Sequence, residues 1–311
     1  YGDMAAAAQL AASLLAFVIL LVLLERYSRR RASYHSAAES RARADLIPLT
    51  GTKAAMAVIA CSAPLIFGFI IPATQLLFWA VFEAEPLGWD FVTLAWNSFS
   101  LAFLAAIIAV TLAIILSYAK RTKPIKPVRT VIAMAGFGYA LPGTIIAIGV
   151  LIPLAWADHS LIALFESLGW DSPGLLLSGS LVALLFAYTV RFLAVALGSV
   201  QSGLEKIKPS LDHAGRSMGH NPLTLLRKIH VPLMRSSILT ALLIVFVDVL
   251  KELPATLILR PFNFNTMAVR AYELASDERL VDAAPASIMI VLVGLIPVLM
   301  LHASIARRRP H

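Results

Sequence analysis

Four charged side chains interrupt stretches of the sequence that are otherwise apolar. Asp248, Lys251 and Glu252 share one such stretch, and Arg191 lies in the preceding one. A charge at the centre of a bilayer costs about 3 kcal/mol on insertion scales, so such residues need a partner or a function. Lys251 follows Asp248 by three residues and Glu252 by four, so a helix would place all three on one face. Two interpretations stay open: a low-affinity waypoint on a transport path, or a self-neutralising anchor.

A second candidate for a transport path is Tyr139, in the apolar run 130–157, which also contains Pro142 and Gly143. Proline and glycine in a membrane helix favour a kink and a close approach between backbones. We expect one kinked helix over this run. The kink suits a moving pore helix, and it also suits ordinary helix packing.

Motifs for covalent chemistry are absent from the sequence. It contains no Gly-x-x-x-x-Gly-Lys-Ser/Thr, no Gly-x-Ser-x-Gly and no His-Glu-x-x-His, so we expect no P-loop, no catalytic residues and no cofactor in this chain. The seven histidines form no i, i+4 pair and the one cysteine is Cys61, which argues against a stable metal site and excludes an intrachain disulfide.

The composition of the chain indicates which kind of secondary structure positions these residues. The chain has 311 residues, of which 59% are hydrophobic and 14% charged, with a mean hydropathy of +0.82. These values predict an all-α polytopic membrane protein surrounded by lipid. Seven runs are long enough to span a bilayer: 4–24, 54–82, 91–119, 130–157, 172–200, 236–259 and 283–306.

The basic residues indicate how these spans are oriented. Twenty-one of the 26 lysines and arginines fall in alternate loops or at the C-terminal end. The positive-inside rule then places the N-terminus outside, the C-terminus in the cytoplasm and the acidic loop 158–171 outside. Topology therefore explains the net charge of +8, and we expect no nucleic-acid partner.

The longest polar segment between spans, 211–232, predicts two short helices. Ser210 is placed to cap the first helix, and Gly219 suits the left-handed position that ends it. Asn221 and Pro222 form an N-cap and first helical residue for the second helix, which we expect to close at Pro232. The product is a compact polar knob between two membrane helices.

Four residues of this segment resemble the EAA loop of ABC importer permeases, whose pattern is Glu-Ala-Ala, three residues, Gly, nine residues, Ile-x-Leu-Pro. The matching positions are Ala214, Gly219, Ile229 and Pro232. The resemblance implies a cytoplasmic coupling loop, 205–234, that docks into a groove on a cytosolic ABC ATPase. An ordinary amphipathic loop is the alternative.

The segment departs from the pattern at three positions. His213 stands at the Glu position, Gly215 at the second Ala and Val231 at the Leu, while Asp212 could supply the acid one residue early. The coupling residues that the resemblance implies are therefore Asp212, His213, Ala214, Gly215, Gly219, Ile229 and Pro232.

Three further stretches resemble ferric-iron ABC permeases, which are fused two-module proteins. They are Asp-Val-Leu-Lys-Glu-Leu-Pro-Ala-Thr at 248–256, Leu-Arg-Pro-Phe at 259–262 and Ala-Tyr-Glu-Leu-Ala-Ser-Asp-Glu at 271–278. The resemblance implies a type I importer domain in a bacterial inner membrane. It also implies a periplasmic binding protein that delivers ferric iron, and an ATPase dimer that uses the ATP.

Alternative functions stay open. Thiamine and phosphonate permeases share the fused architecture. An ion-coupled secondary transporter would use Asp248 and Glu252 as proton sites, and a membrane enzyme is the remaining class.

A weak repeat suggests the domain organisation. Asp-Met-Ala-Ala opens the first span and Asp-Ala-Ala the last, and three arginines follow each after 25 or 26 residues. We expect 1–24 to be the last helix of a preceding permease module in the same longer chain. We expect 25–53 to be a basic cytoplasmic linker and 54–306 to be a six-helix permease domain.

Overall fold

The computed structural model describes residues 49–86 and 88–306, together with isolated helical positions between 9 and 24. Most of the predicted segments 1–24 and 25–53 lies outside the described residues, so their assignment stays a prediction. The described residues contain helices and no strands, which confirms the all-α class.

We number the helices from residue 49 onwards in chain order. They are α1 (Gly51–Glu83), α2 (Trp89–Thr122), α3 (Lys126–Ala135), α4 (Gly143–Ser167), α5 (Leu181–Glu205), α6 (Pro209–Ser217), α7 (Pro222–Leu233), α8 (Arg235–Leu250), α9 (Pro254–Leu259), α10 (Met267–Ser276) and α11 (Leu280–Ala306).

Helices α2, α5 and α8 form the core of the bundle, since they pack most extensively on one another. On α2 the core face repeats alanine every fourth residue, at Ala105, Ala109 and Ala113, and all three are buried. Small residues at this spacing let helix backbones approach closely where lipid offers no hydrophobic driving force. Around this core, α4 packs against α5 and α9, while α11 packs against α1, α8 and α10.

Four described helices are long and apolar enough to cross a membrane: α1, α2, α4 and α5. The pair α7 and α8, bent by 77° between Leu233 and Arg235, gives a fifth if it counts as one span. Helix α11 is also apolar and 27 residues long. The chain is thus a multi-pass membrane protein, as predicted, although the described part does not reach the expected seven spans.

The prediction of one kinked helix over 130–157 is wrong. Helix α3 ends at Ala135, a short 3₁₀ turn covers Gly138–Ala140, and α4 starts only at Gly143. Pro142 explains the break, because the residue before a proline avoids helical geometry. Leu141 is accordingly extended, with φ −83° and ψ 138°.

The predicted outer loop 158–171 is largely helical, because α4 continues to Ser167. Asp158 on this helix is fully buried. Its carboxylate accepts hydrogen bonds from the backbone N–H groups of Leu177 and Ser178, at 2.9 and 2.7 Å, and from the Ser178 hydroxyl. Asp158 therefore ties the loop before α5 to α4 instead of facing solvent.

Candidate functional site

The knob, here α6 and α7 with their connection (209–233), has the predicted glycine turn. Gly219 adopts φ +79°, a conformation that costs residues with a Cβ more than glycine. The Gly219 N–H donates to the Arg216 carbonyl and the His220 N–H to the Gly215 carbonyl. This is the double hydrogen bond of a Schellman motif, which ends a helix by satisfying its last carbonyls.

The start of each knob helix tests the predicted caps. Helix α6 begins at Pro209 with Lys208 at the N-cap, so the Ser210 cap is wrong, because proline favours the first helical position. The second cap is confirmed: the Asn221 side chain accepts from the Thr224 N–H at 2.8 Å and Pro222 begins α7.

The two knob helices cross in close contact at Gly215. A Cβ at this position would collide with the side chain of Leu225 on α7, and Leu225 is only 1% exposed. The alanine of the EAA pattern would require the Leu225 side chain to shift. Helix α7 passes through a π turn, Leu226–His230, and ends at Leu233, beyond the predicted closure at Pro232.

A buried ionic cluster, here called the node, joins the knob to the bundle through Arg121, Asp212 and His230. Arg121, in the last turn of α2, donates from Nε to Asp212 Oδ2 at 2.8 Å. His230 on α7 places Nε2 2.8 Å from Asp212 Oδ1, out of line for a hydrogen bond. His230 is fully buried and Asp212 is 9% exposed. Asp212 therefore faces the bundle.

Arg121 also reaches the carboxyl end of α5. Its NH1 donates to the Leu204 carbonyl at 2.7 Å and its NH2 to the Ile207 carbonyl at 2.8 Å. One guanidinium thus links α2 to α5, to the connection after α5 and to α6, because its planar fork carries five donors. Tyr118, one turn earlier on α2, donates to the Pro222 carbonyl at 2.8 Å.

The other predicted coupling residues divide by exposure. His213, Ala214, Gly219 and Pro232 are exposed, and Ile229 is partly buried. The exposed surface also carries four large apolar side chains, of which Met218 at 67% and Leu223 at 62% are the most exposed; the others are Leu211 and Leu233. The knob thus combines an anchored inner face with an outer face that mixes polar and apolar groups.

The charged cluster of the sixth apolar run lies where that run stops being helical. Helix α8 ends at Leu250 and α9 begins at Pro254. The predicted common face of Asp248 and Glu252 is therefore wrong. Glu252 turns instead toward α5, where its Oε2 lies 3.4 Å from Arg191 Nε.

The pair Arg191–Glu252 connects two helix breaks. Arg191 donates from NH1 to the Leu141 carbonyl at 3.1 Å, at the break before α4. Glu252 Oε1 accepts from the Ala255 N–H at 3.3 Å, in the first turn of α9. A side chain at Gly143 would collide with both charged groups. The two chain breaks therefore meet at one largely buried ion pair.

The predicted pair of Asp248 and Lys251 is confirmed. Lys251 Nζ lies 2.8 Å from Asp248 Oδ1, and the side chains are 61% and 10% exposed respectively. Tyr139, on the 3₁₀ turn, is 49% exposed and its ring lies 6.3 Å from that of Phe192. The side chains of Lys251 and Tyr139 are thus exposed, whereas the carboxylates of Asp248 and Glu252 are buried.

Sequence reasoning missed Arg121 and His230. A basic residue in a basic loop gives no sign of a buried partner, and His230 occupies a position that the EAA pattern leaves undefined. The one available signal was Asp212, an acidic residue in a polar segment between spans, because such an acid can pair with an arginine at the end of another span.

Comparison with known proteins finds similarity to permease proteins of several transport systems. No family model matches the chain. It is 25% identical over 300 residues to the Fe(3+)-transport system permease protein FbpB 2 of Haemophilus influenzae, covering 95% of this chain. It is 23% identical over 206 residues to the putative 2-aminoethylphosphonate transport system permease protein PhnV of Salmonella typhimurium. It is 28% identical over 202 residues to the maltose/maltodextrin permease MalG of Photorhabdus laumondii.

These relatives differ in length from this chain. The chain spans 56% of the Haemophilus protein, 72% of PhnV and 63% of MalG, and the PhnV and MalG matches cover 65% and 63% of this chain.

Among solved structures, a bacterial ABC transporter that imports the acidic polysaccharide alginate matches with a TM-score of 0.59 at 18% identity. The match covers 83% of this chain and 96% of that one. A second alginate transporter structure, in complex with an alginate-bound periplasmic protein, matches with a TM-score of 0.56 at 17% identity, covering 80% and 91%. The described chain therefore has the fold of an ABC importer transmembrane domain.

Proposed function

We propose that this chain is the permease subunit of an ATP-driven importer in a bacterial inner membrane. The observation that carries the proposal is the knob, a pair of short helices anchored to the bundle on one side and open on the other. This arrangement suits a surface that receives force from a separate protein. The importer fold and the three permease relatives support the same role.

In this mechanism the chain performs no covalent chemistry. A periplasmic binding protein delivers the substrate to the outer mouth, and a cytosolic ATPase dimer binds the outer face of the knob. Closure of the ATPases on ATP favours one orientation of the bundle over the other, because the two orientations bind the nucleotide-loaded dimer with different affinity. Met218, Leu223 and His213 are the exposed knob residues that we assign to this contact.

We propose ferric iron as the substrate. The match to the ferric-iron permease covers 95% of this chain, whereas the phosphonate and maltose matches cover about two thirds. A phosphonate is the next candidate. A preceding permease module in the same polypeptide, as the sequence predicts, would supply the other half of the path.

In this proposal the substrate path passes the exposed side chains of Lys251 and Tyr139. Asp248 lies directly behind Lys251, so a cation that displaces the ammonium group would meet a carboxylate oxygen, the ligand type that hard cations prefer. Arg191 and Glu252 hold the surrounding chain breaks in place. We therefore assign the waypoint to Asp248 and Lys251, and a positioning role to Arg191 and Glu252.

The experiment compares two glycines with the same geometry. Gly219→Val strains the knob turn, and Gly169→Val is the matched control, because Gly169 has φ +73° in a turn after α4 with open space around it. The full transporter is purified with its ATPase and assayed for uptake of radioactive ferric iron into vesicles. We expect Gly219→Val to lose bound ATPase and uptake together.

The control variant keeps both properties if the knob is the docking element. Normal ATPase binding and uptake by Gly219→Val would contradict the proposal. Uptake driven by a pH gradient without ATP would favour an ion-coupled carrier instead. ATP-driven uptake of 2-aminoethylphosphonate but not iron would leave the permease role intact and change the substrate.

A further inference from the structure

Helix α5 carries an ionic contact at each of two levels. At its carboxyl end, the carbonyls of Leu204 and Ile207 accept from Arg121 of the node. Near its middle, Arg191 pairs with Glu252 and donates to the Leu141 carbonyl. The helix is continuous between these levels, which lie about 20 Å apart along its axis at 1.5 Å per residue.

The node end of this helix is fixed to the knob from several directions. Arg121 contacts Asp212 on α6 as well as the α5 carbonyls, and the Asp212 carboxylate also faces His230 on α7. Charge-assisted hydrogen bonds of this kind are about twice as strong as neutral ones and hold a defined geometry. A displacement of the knob is therefore expected to carry the end of α5 with it.

The other level meets the two chain breaks. Residues 136–142, which include the 3₁₀ turn, separate α3 from α4, and residues 251–253 separate α8 from α9. Non-helical backbone inside a membrane domain has free N–H and C=O groups that neighbouring groups must satisfy. Arg191 and Glu252 do so here, so a shift of Arg191 along the α5 axis alters the support of both breaks.

We propose that α5 moves as a rigid rod that transmits movement of the knob to the chain breaks beside the substrate path. Arg121 couples this rod to the knob, and Arg191 couples it to the path. This inference rests on the proposed permease function. Arg121 acts as a positioning residue: it does not touch ATP or substrate, and it determines whether the movement of the knob reaches the chain breaks. Coupling between distant sites needs direct measurement and does not follow from connectivity alone.

The test measures motion in the assembled transporter with its ATPase, in nanodiscs. Spin labels are placed on exposed positions of α4 and α5 through Leu164→Cys and Phe186→Cys, in a Cys61→Ser background. A second pair, Arg216→Cys and Ile107→Cys, reports the knob against α2. Electron–electron double resonance then measures the α4–α5 and knob–α2 distances with and without ATP.

The decisive variant is Arg121→Lys, which keeps the charge beside Asp212 but loses the planar fork that reaches several acceptors at once. We expect ATP to shift the α4–α5 distance in the unaltered transporter. In Arg121→Lys the knob–α2 distribution broadens, the α4–α5 shift falls at least threefold, and ATP binding persists. Transport per ATP hydrolysed falls at least fivefold. Lys120→Gln, at the neighbouring position, is the matched control and keeps the shift.

An α4–α5 shift that survives in Arg121→Lys would overturn the rod while leaving the permease function in place. The absence of any ATP-dependent shift in the unaltered transporter would contradict the permease function itself. If Arg121→Lys does not fold, the neutral double variant Arg121→Gln/Asp212→Asn replaces it, and the same distances are measured with the same two outcomes.

Discussion

The node and the helix-break cluster both use arginine to hold interrupted backbone, and they differ in what they leave open. In the node, Arg121 and Asp212 are mostly covered, and His230 is fully buried. In the cluster, Arg191 and Glu252 are covered, but the second pair presents Lys251 with 61% of its side chain exposed. The node thus exposes little of any charged side chain, whereas the cluster exposes most of Lys251.

This difference separates charges that hold the fold from charges that are available to a substrate. A covered ion pair becomes costly when one partner is removed, because the other remains as an uncompensated buried charge. An exposed charge can find water or another partner, so its loss costs little stability. Mutations at Glu252 and Asp248, which are only four residues apart, should therefore behave differently.

The largest effect is expected for Glu252→Gln. This change leaves Arg191 without a carboxylate at a covered position, where breaking an ion pair costs about 3–5 kcal/mol. The amount of folded protein after detergent extraction should fall sharply, together with the unfolding temperature. Adding Arg191→Gln removes the unpaired charge and should restore most of the folded protein. An unchanged amount of folded Glu252→Gln would contradict the assigned positioning role.

A smaller effect on stability is expected for Asp248→Asn. Lys251 then loses its partner but remains exposed, so the free energy of unfolding should change by no more than about 1 kcal/mol. Ferric-iron uptake should nevertheless fall severalfold, since the carboxylate no longer offsets the charge of the cation. The double variant Asp248→Asn/Lys251→Met separates the two roles of this pair. Full uptake by the double variant would end the waypoint assignment.

Much of the helical layout could be predicted because it depends on local composition. Hydropathy runs fixed the positions of α1 and α2 to within a few residues, since a bilayer requires a minimum apolar length. The turn at Gly219 and the cap at Asn221 follow from the conformational preferences of those residues. These features need no knowledge of distant parts of the chain.

The errors of prediction concern contacts between distant segments. The sequence predicts a kink at Pro142, but the structure has a break, where Arg191 donates to the Leu141 carbonyl although it lies 50 residues away in sequence. The sequence places Asp158 in an outer loop, and its burial could not be predicted because it depends on the N–H groups of Leu177 and Ser178. The pairing of Asp212 with Arg121 was likewise not visible, and it reverses the direction in which the acid points.

A site-specific cross-link from the tip of the knob shows most directly whether the knob docks on an ATPase. A photoreactive amino acid replaces Met218, which is 67% exposed on the knob, and in a control replaces Leu168, which is 54% exposed just after the end of α4. Illumination of intact cells, followed by identification of the adducts, reports which protein touches each position. We expect an adduct between position 218 and a cytosolic ABC ATPase, and no such adduct from position 168. An ATPase adduct from position 168, or its absence from position 218 in cells that import the substrate, would contradict this docking.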